Sequence, residues 1–253
     1  MKGIPVTVSE SNLCRKLTVN LDQQQLNVRP VIKAAINEAS NTLTDAFVSN
    51  KALEWSARNL DPTKRDHFLV NLFKTMIDTA SLQSRDFAVQ VDGCRGVLVW
   101  SDRSQLFSWP QTISTFKYAR LLGWTAALKT LVKLQSSTSE KTRRKLMAGY
   151  PRYIAIGFIG ILPQEQHKGL GTALMEYVLN KADESHYPVY VEATDPQAVK
   201  FFERFGFVSH GQISLGKDQT NTSLTPMIRS SVAMNEPKSL RIRPGRQDSD
   251  RSL

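Results

Sequence analysis

The sequence predicts a mixed α/β domain, in which a central, partly parallel sheet is covered by flanking helices. Two alternating segments, 86–92 and 94–102, are joined by Asp92-Gly93, and such a pair between alternating segments indicates an antiparallel hairpin. Further on, the strand–helix–strand spacing over 152–193 indicates a right-handed crossover, which places its two strands parallel. Both kinds of strand pairing are therefore expected in one sheet.

The first part of the chain predicts a polar leader, one strand and two helices. Residues 1–26 are polar and glutamine-rich, and "NVRPV" (27–31) is typical of a short strand. A second helix is predicted to begin with Asp61 as its cap and Pro62 at its first position. The first helix is predicted from an apolar stripe at helical spacing, formed by Ile32, Ala35, Ile36, Ala39, Leu43, Ala46 and Phe47.

The later part predicts one continuing domain over 27–234 with an inserted helical region at about 103–150. That insertion has an apolar face followed by a basic run, and residues 235–253 are expected to form a disordered basic tail. The remaining elements are predicted in this order: strand 152–162, loop 163–168, helix 169–186, strand 188–193, helix 195–205, strand 207–213 and a last strand near 224–233.

Composition and charge limit the classes of function. The chain has 253 residues, is 41% hydrophobic and carries a net charge of +10, so an anionic partner is expected. Much of the excess charge lies in 129–152 and 236–253, where a solvated helix face and a disordered tail also explain it. No RNA-binding motif or zinc finger accompanies the charge, which argues against nucleic acid as a partner.

Other classes of protein are excluded by what the sequence lacks. There is no apolar run of the ~18 residues that a membrane span needs, and no secretory h-region near the N-terminus. Two cysteines and four scattered histidines form neither a disulfide framework nor a metal-ligand spacing. We therefore expect a cytoplasmic protein without a metal.

The segment "QEQHKGLGTALMEY" (164–177) places two glycines at the start of a predicted helix. The unpaired N–H groups of a helix N-terminus suit a phosphate, and Lys168 adds a cation. The same glycines would also serve in a simple tight turn. A P-loop motif is absent, and a Rossmann fingerprint fails because Leu174 occupies the third glycine position and Pro163 lies within a six-residue gap after the strand.

The segment "ILPQEQHKGLGTAL" is similar to the acetyl-CoA signature of GNAT-type N-acetyltransferases, [V/I]-x-P-x-x-[Q/R]-x-x-G-x-[G/A]. Ile161, Pro163, Gln166, Gly169 and Gly171 fall on the motif positions. The segment "VYVEATDPQAVKFFERFGFVSHG" also resembles that superfamily, and "VLVWSD" (97–102) extends the likeness to puromycin N-acetyltransferases and their relatives. The resemblance implies a GNAT-like acyl-CoA N-acyltransferase fold.

The resemblance also implies how acetyl-CoA would bind. The strand at 152–162 would splay from its neighbour and offer the main chain of Ile159 and Ile161 to the pantetheine arm. The pyrophosphate would lie on the amides of the following loop, namely Gln166, His167, Lys168, Gly169, Leu170, Gly171 and Thr172. An amine would then attack the thioester directly, without an acyl-enzyme.

The candidate catalytic residues lie on the strand after that loop. Glu192 is the predicted general base, although a salt bridge or a cap for the next helix would explain it equally well. Tyr190 lies on the same strand face and is a candidate acid. The superfamily's usual tyrosine acid is replaced by Phe202, and the asparagine four residues earlier by Ala198. Cys94 is expected to be a core residue rather than a nucleophile.

The resemblance therefore implies transfer of an acetyl group from acetyl-CoA to a primary amine, with a small molecule as the favoured acceptor. Three alternatives remain open: a catalytically weak acetyl-CoA-binding module, a protein lysine acetyltransferase, and a basic binder of nucleic acid or membrane surfaces.

Overall fold

The computed structural model describes residues 26–56, 62–102, 138–214 and 223–231, which form a central sheet with helices on both faces. The leader 1–25, most of the predicted insertion (103–137), the tail and the proposed Asp61 cap lie outside the described residues. None of the helices in the described ranges combines the length and apolarity that a membrane span needs.

Strands and helices alternate along most of the described chain. The strands are β1 (Val28–Pro30), β2 (Ala88–Val91), β3 (Gly96–Ser101), β4 (Ile154–Ile161), β5 (Val189–Ala193), β6 (Val208–Ser209), β7 (Ile213–Ser214) and β8 (Ser223–Arg229). The helices are α1 (Ile36–Phe47), α2 (Lys51–Ser56), α3 (Pro62–Gln83), α4 (Thr138–Met147), α5 (Leu170–Glu184) and α6 (Pro196–Glu203). Short 3₁₀ turns at Lys33–Ala35, Arg85–Phe87 and Pro163–Glu165 lead into α1, β2 and the loop before α5.

The sheet mixes both kinds of pairing, as the sequence predicts. Its strand order is β1-β2-β3-β4-β5-β8-β6, and β7 pairs with the start of β8. Among the described strands, β4 and β5 form the parallel pair, and every other pair is antiparallel. The crossover between β4 and β5 runs through α5, as the strand–helix–strand spacing indicates.

Helices α1 and α3 pack on one face of the sheet, and α5 and α6 pack on the other. The rings of Phe47 (α1), Phe73 (α3) and Phe158 (β4) lie 5.2–5.7 Å apart and join the first face. On the opposite face, Leu174 of α5 is fully buried over β3, within the main apolar core. A sheet covered on both faces explains why all six residues of β3 are buried.

An ion pair joins the last strand of the sheet to α5, and a side-chain cap stabilises the start of α6. Arg229 at the end of β8 donates to both carboxylate oxygens of Asp183 on α5, at 2.8 Å each, and to the carbonyl of Phe205 at 3.0 Å. The Asp195 carboxylate accepts the N–H of Ala198 at 2.8 Å and so caps α6, with Pro196 at the first helical position.

Several predicted boundaries are wrong for local reasons. Ile32 is 67% exposed and does not share the buried stripe, because the backbone is still extended there and α1 begins only at Ile36. The predicted strand 207–213 is two short strands, because Gly211 turns the backbone to a φ of 87° between them. Helix α2, Lys51–Ser56, is a further element that the sequence pattern did not predict.

The hairpin at Asp92-Gly93 is present but has a longer turn than predicted. Strand β2 ends at Val91 and β3 begins at Gly96, so four residues form the turn. Three of them, Asp92, Gly93 and Cys94, have positive φ angles of 52°, 65° and 59°. A two-residue turn is excluded because the paired register is Val91 with Gly96.

We predict that Gly160→Ala destabilises the protein by about 1–3 kcal/mol, because it overpacks the contact between β4 and α1. A Cβ at Gly160 would lie 2.9 Å from Leu43 Cδ2 and 2.9 Å from Ala46 Cβ. Gly149→Ala is the matched control, since a Cβ there meets nothing within 4 Å. Denaturant unfolding measures both, and an equal change in the free energy of unfolding would contradict this packing.

Candidate functional site

Strands β4 and β5 separate after only a short stretch of pairing. Ile154 pairs with Val189 and Ala155 with Tyr190, and the register ends there. On its other edge, β4 stays paired with β3 as far as Ile161. The register on that edge shifts between Val99 and Trp100, which leaves Gly157 as an extra residue, and such a bulge bends and twists a strand. The second half of β4 therefore has one free edge.

The free edge presents the main chain of Ile159 and Ile161. The N–H of Leu162 donates to the carbonyl of Arg95 at 3.0 Å, so Leu162 faces β3. Because the direction of the backbone groups alternates along an antiparallel strand, Gly160 also faces β3, and Ile159 and Ile161 face the gap. These are the two residues predicted to meet the pantetheine arm.

The loop between β4 and α5 offers a run of unpaired backbone amides. Within the described part of the chain, the N–H groups from His167 to Thr172 donate no hydrogen bond to the protein. Gly169 is the residue before α5 and has a left-handed φ of 85°, which glycine adopts without strain. His167, at φ 62°, is exposed in the same loop. Such amides at a helix N-terminus suit an anion.

Other side chains of the loop take different positions. Leu170 is buried in the core, so that only its main chain is available to a ligand. A Cβ at Gly171 would lie 3.4 Å from the ring of Phe201, and the glycine thus lets α6 come close to the start of α5. The Gln166 side chain turns back and donates to the carbonyl of Ile161 at 3.5 Å.

An exposed ion-pair chain lies beside the amides. Lys168 Nζ is 2.9 Å from Glu165 Oε2, and Arg95 bridges Glu165 at 3.9 Å and Asp92 at 2.9 Å. The hydrogen bond from Lys168 is the main reason that the pKa of Glu165 is lowered. Both cations are more than half exposed, so they stay accessible to an incoming anion.

Glu192 lies near the end of β5 and accepts two hydrogen bonds on one oxygen. The Tyr190 hydroxyl donates to Oε1 at 2.7 Å, and the Ser139 hydroxyl of α4 donates to the same atom at 2.6 Å. Asp195 caps the next helix, and Glu192 takes part in no ion pair within the described ranges. Within the described ranges, the structure therefore shows Glu192 neither as the cap of that helix nor in an ion pair.

Tyr190 keeps its proton and points it at Glu192. The side chain is 3% exposed, and burial is the largest cause that raises its pKa strongly, followed by the charge of Glu192. A phenol whose proton is held by a neighbouring carboxylate is suited to orienting that carboxylate. The role of general acid stays a prediction.

The positions that depart from the superfamily pattern lie in the second half of the domain. Phe202 is 3% exposed and packs against the rings of Phe201 and Phe207, with centroids 5.3 and 5.5 Å away. Ala198 packs half-buried against the same core. Neither supplies a hydrogen-bonding group, so the departures from the superfamily pattern are real differences in chemistry.

Cys94 lies in the core, as the sequence predicts. Cys94 is buried, and burial together with Glu38 raises the pKa of its thiol to about 11, which opposes a nucleophilic role. Its carbonyl accepts from Thr42 and its N–H donates to Gln90. Among the described residues, no group of three or more His, Cys, Asp and Glu side chains is arranged to hold a metal ion.

Sequence reasoning missed two residues that the structure brings to the end of β5. Asn50 Nδ2 donates to Thr194 Oγ1 at 2.9 Å, while its Oδ1 accepts the N–H groups of Ala52 and Leu53 at the start of α2. An asparagine just before a helix is a recognisable cap signal. Ser139 carries no such signal, because its contact with Glu192 spans 53 positions.

Three comparisons with known proteins bear on this site. Residues 145–229 match the family profile described as the acetyltransferase (GNAT) domain. An uncharacterised N-acetyltransferase of Schizosaccharomyces pombe is 33% identical over 72 residues, which are 28% of this chain. The matched segment is 29% of that relative, so the chain spans less than a third of its length.

Solved structures show the same fold. A Corynebacterium glutamicum protein described as histone acetyltransferase HPA2 and related acetyltransferase has a TM-score of 0.56 at 18% identity, covering 84% of this chain and 98% of that one. The polyamine N-acetyltransferase of Drosophila melanogaster has a TM-score of 0.52 at 15% identity, covering 81% and 100%. A mosquito arylalkylamine N-acetyltransferase-like protein has a TM-score of 0.51 at 10% identity, covering 81% and 100%.

The profile match covers α5, β5 and α6, which carry the loop amides and Glu192, and the mixed sheet agrees with the fold of these structures. Over residues 145–229 this chain is therefore similar to the acetyltransferase (GNAT) domain, and its described fold is that of the acetyltransferase structures above.

Proposed function

We propose that this protein transfers an acetyl group from acetyl-CoA to the primary amine of a small molecule. The arrangement of three neighbouring features carries the proposal. The free edge of β4 leads directly into a run of unpaired amides, and these two features fit an extended anionic thioester. A carboxylate that accepts hydrogen bonds from two hydroxyls lies near the end of the neighbouring strand, and it fits an amine that must lose a proton.

Acetyl-CoA would bind along β4 and onto the loop. Its pantetheine arm carries amide groups that can pair with the main chain of Ile159 and Ile161, as an added strand does. Its pyrophosphate would accept hydrogen bonds from the N–H groups of His167 to Thr172, where the dipole of α5 also favours negative charge. The N–H of Gln166, which the sequence also predicted for this role, instead donates to the carbonyl of Pro163 at 3.4 Å. Lys168 would exchange its contact with Glu165 for a phosphate oxygen.

The chemistry requires that the amine lose its proton. A lysine-like amine has a pKa of about 10.4, so it is mostly protonated at neutral pH. Glu192 accepts a proton from the ammonium nitrogen, directly or through one water. The neutral nitrogen then attacks the thioester carbonyl, the C–S bond breaks as the amide forms, and the second nitrogen proton passes to water or to the thiolate that has left. The departing thiolate, with a thiol pKa of about 8.5, needs no protein acid at the position of Phe202.

The names of similar structures indicate which class of amine accepts the acetyl group. The insect structures are named for polyamine and arylalkylamine substrates, which favours a small-molecule amine, in keeping with the predicted likeness to puromycin N-acetyltransferases. The name of the bacterial structure includes a histone acetyltransferase, so a lysine acceptor is the second candidate. An amine panel that contains polyamines, arylalkylamines and a lysine peptide separates the two.

We predict that Glu192→Gln lowers kcat/KM with acetyl-CoA and an amine by about 10²–10⁴-fold, because general base catalysis contributes that much. Glu176→Gln is the matched control, since Glu176 is an exposed glutamate of α5. Release of CoA thiol across the amine panel measures both variants. Equal rates for the two variants would contradict the role of Glu192.

A catalytically weak module is the alternative that this assay also tests. Binding of CoA to the folded state raises its stability by about 2.7 kcal/mol at a hundredfold excess over Kd. A thermal shift with CoA but no thiol release with any amine would favour that module. No thermal shift with either CoA or acetyl-CoA would overturn the enzyme and the module together.

We predict that Gly169→Ala weakens CoA binding about tenfold, because alanine resists the left-handed conformation that sets the loop amides. Gly206→Ala controls for the strain, since Gly206 has nearly the same φ, 83°, beyond the end of α6. Both variants should lose about 1 kcal/mol of stability. Calorimetric titration with CoA should distinguish them, and an unchanged Kd for Gly169→Ala would contradict the proposed loop site.

A further inference from the structure

Ser139 connects the catalytic strand to a helix outside the βαβ unit. It is the second residue of α4, the helix that follows residues 103–137, and its hydroxyl donates to Glu192 Oε1 at 2.6 Å. The hydroxyl of Tyr190 donates to the same oxygen at 2.7 Å. Within the described part of the chain, the other carboxylate oxygen, Oε2, accepts no hydrogen bond from the protein.

The two oxygens of the Glu192 carboxylate therefore differ: Oε1 accepts both hydrogen bonds, and Oε2 accepts none from the described part of the chain. Two hydroxyl hydrogen bonds to Oε1 fix the rotation of the carboxylate about its terminal bond. Oε2 is left to accept a proton. Glu192 is only half-buried, so that oxygen is reachable by a substrate or a water.

We propose that Ser139 is a positioning residue that holds Glu192 so that Oε2 is the oxygen that takes the amine proton. This inference rests on the proposed function of Glu192 as general base. It adds that α4, and not only the βαβ unit, sets the geometry of the base. Tyr190 is the second holder, from the same strand as Glu192.

Apolar packing at its end fixes the position of α4, and ion pairs stabilise the helix itself. Arg143, 4% exposed, forms an ion pair with Glu140 on the same helix, and Glu140 also accepts from Arg144 at 2.7 Å. Met147 at the end of the helix packs with Tyr153, Ala155 and Tyr190. A buried helix end next to Tyr190 explains how a serine so distant in sequence reaches Glu192.

In the described ranges, the titratable groups that act on Tyr190, the phenol bonded to this carboxylate, include Tyr153 and Arg143. Tyr153 comes directly before β4, and Arg143 with its partner Glu140 belongs to α4. Of the side chains for which the structure gives a direct bond to Glu192, Ser139 is the one that does not titrate. Its removal thus changes hydrogen bonding without changing charge.

We predict that Ser139→Ala lowers kcat about tenfold, which corresponds to one hydrogen bond to a charged group, and leaves the Kd for CoA unchanged. Ser139→Thr, which keeps the hydroxyl, should restore kcat. Thr138→Ala, one residue earlier and exposed, is the matched control and should behave as wild type.

A second measurement is independent of turnover. In protein with ¹³C-labelled glutamate, the carboxyl resonance of Glu192, assigned by its loss in Glu192→Gln, is compared at one pH between wild type and the three variants. The resonance should shift in Ser139→Ala, because the carboxylate loses a hydrogen bond, return in Ser139→Thr and stay fixed in Thr138→Ala. An unmoved resonance in Ser139→Ala would overturn the inference even if the enzyme is active. A shifted resonance in a protein without acetyltransferase activity would instead overturn the proposed function alone.

Discussion

The site depends on how β4 is held along its two edges. On one edge β3 pairs with it to Ile161, while on the other β5 leaves it after Ala155. The extra residue at Gly157 adds twist where the two edges begin to differ. An unpaired strand edge inside a sheet is costly unless water or a ligand satisfies its N–H and C=O groups. The N–H and C=O groups of β4 that face the gap between β4 and β5 are therefore available to water or to an extended ligand.

The proposed reaction draws on both main-chain and side-chain groups. In that proposal the groups that bind the cofactor are main-chain atoms of β4 and of the loop before α5, so most side-chain substitutions leave them in place. The proposed base is a side chain, Glu192, whose direction depends on hydroxyls from β5 and α4. Phe202 supplies no acid, and a thiolate leaves readily without one. In the proposed reaction, the position of the base thus matters more than a second proton-transfer group.

Much of this arrangement could be predicted from local sequence, and the rest could not, for physical reasons. The geometry of the loop before α5 is set within a few residues. The loop could therefore be predicted from the spacing of its proline, glutamine and two glycines, which are Pro163, Gln166, Gly169 and Gly171. The period-2 pattern likewise placed Tyr190 and Glu192 on one face. Ser139 was not predictable because its role depends on the packing of α4 against β5, 53 positions away. The prediction that Ile32 belongs to the first helix is wrong, because helical periodicity does not show at which residue the backbone stops being extended.

Amide hydrogen exchange along β4, measured with and without CoA, tests the central claim most directly. If the pantetheine arm pairs with the free edge, the amides of Ile159 and Ile161 exchange more slowly when CoA is bound. Those of Phe158 and Gly160, which face β3, serve as the internal reference and change little. Equal protection of all four amides, or protection of none while CoA binds, would contradict the account.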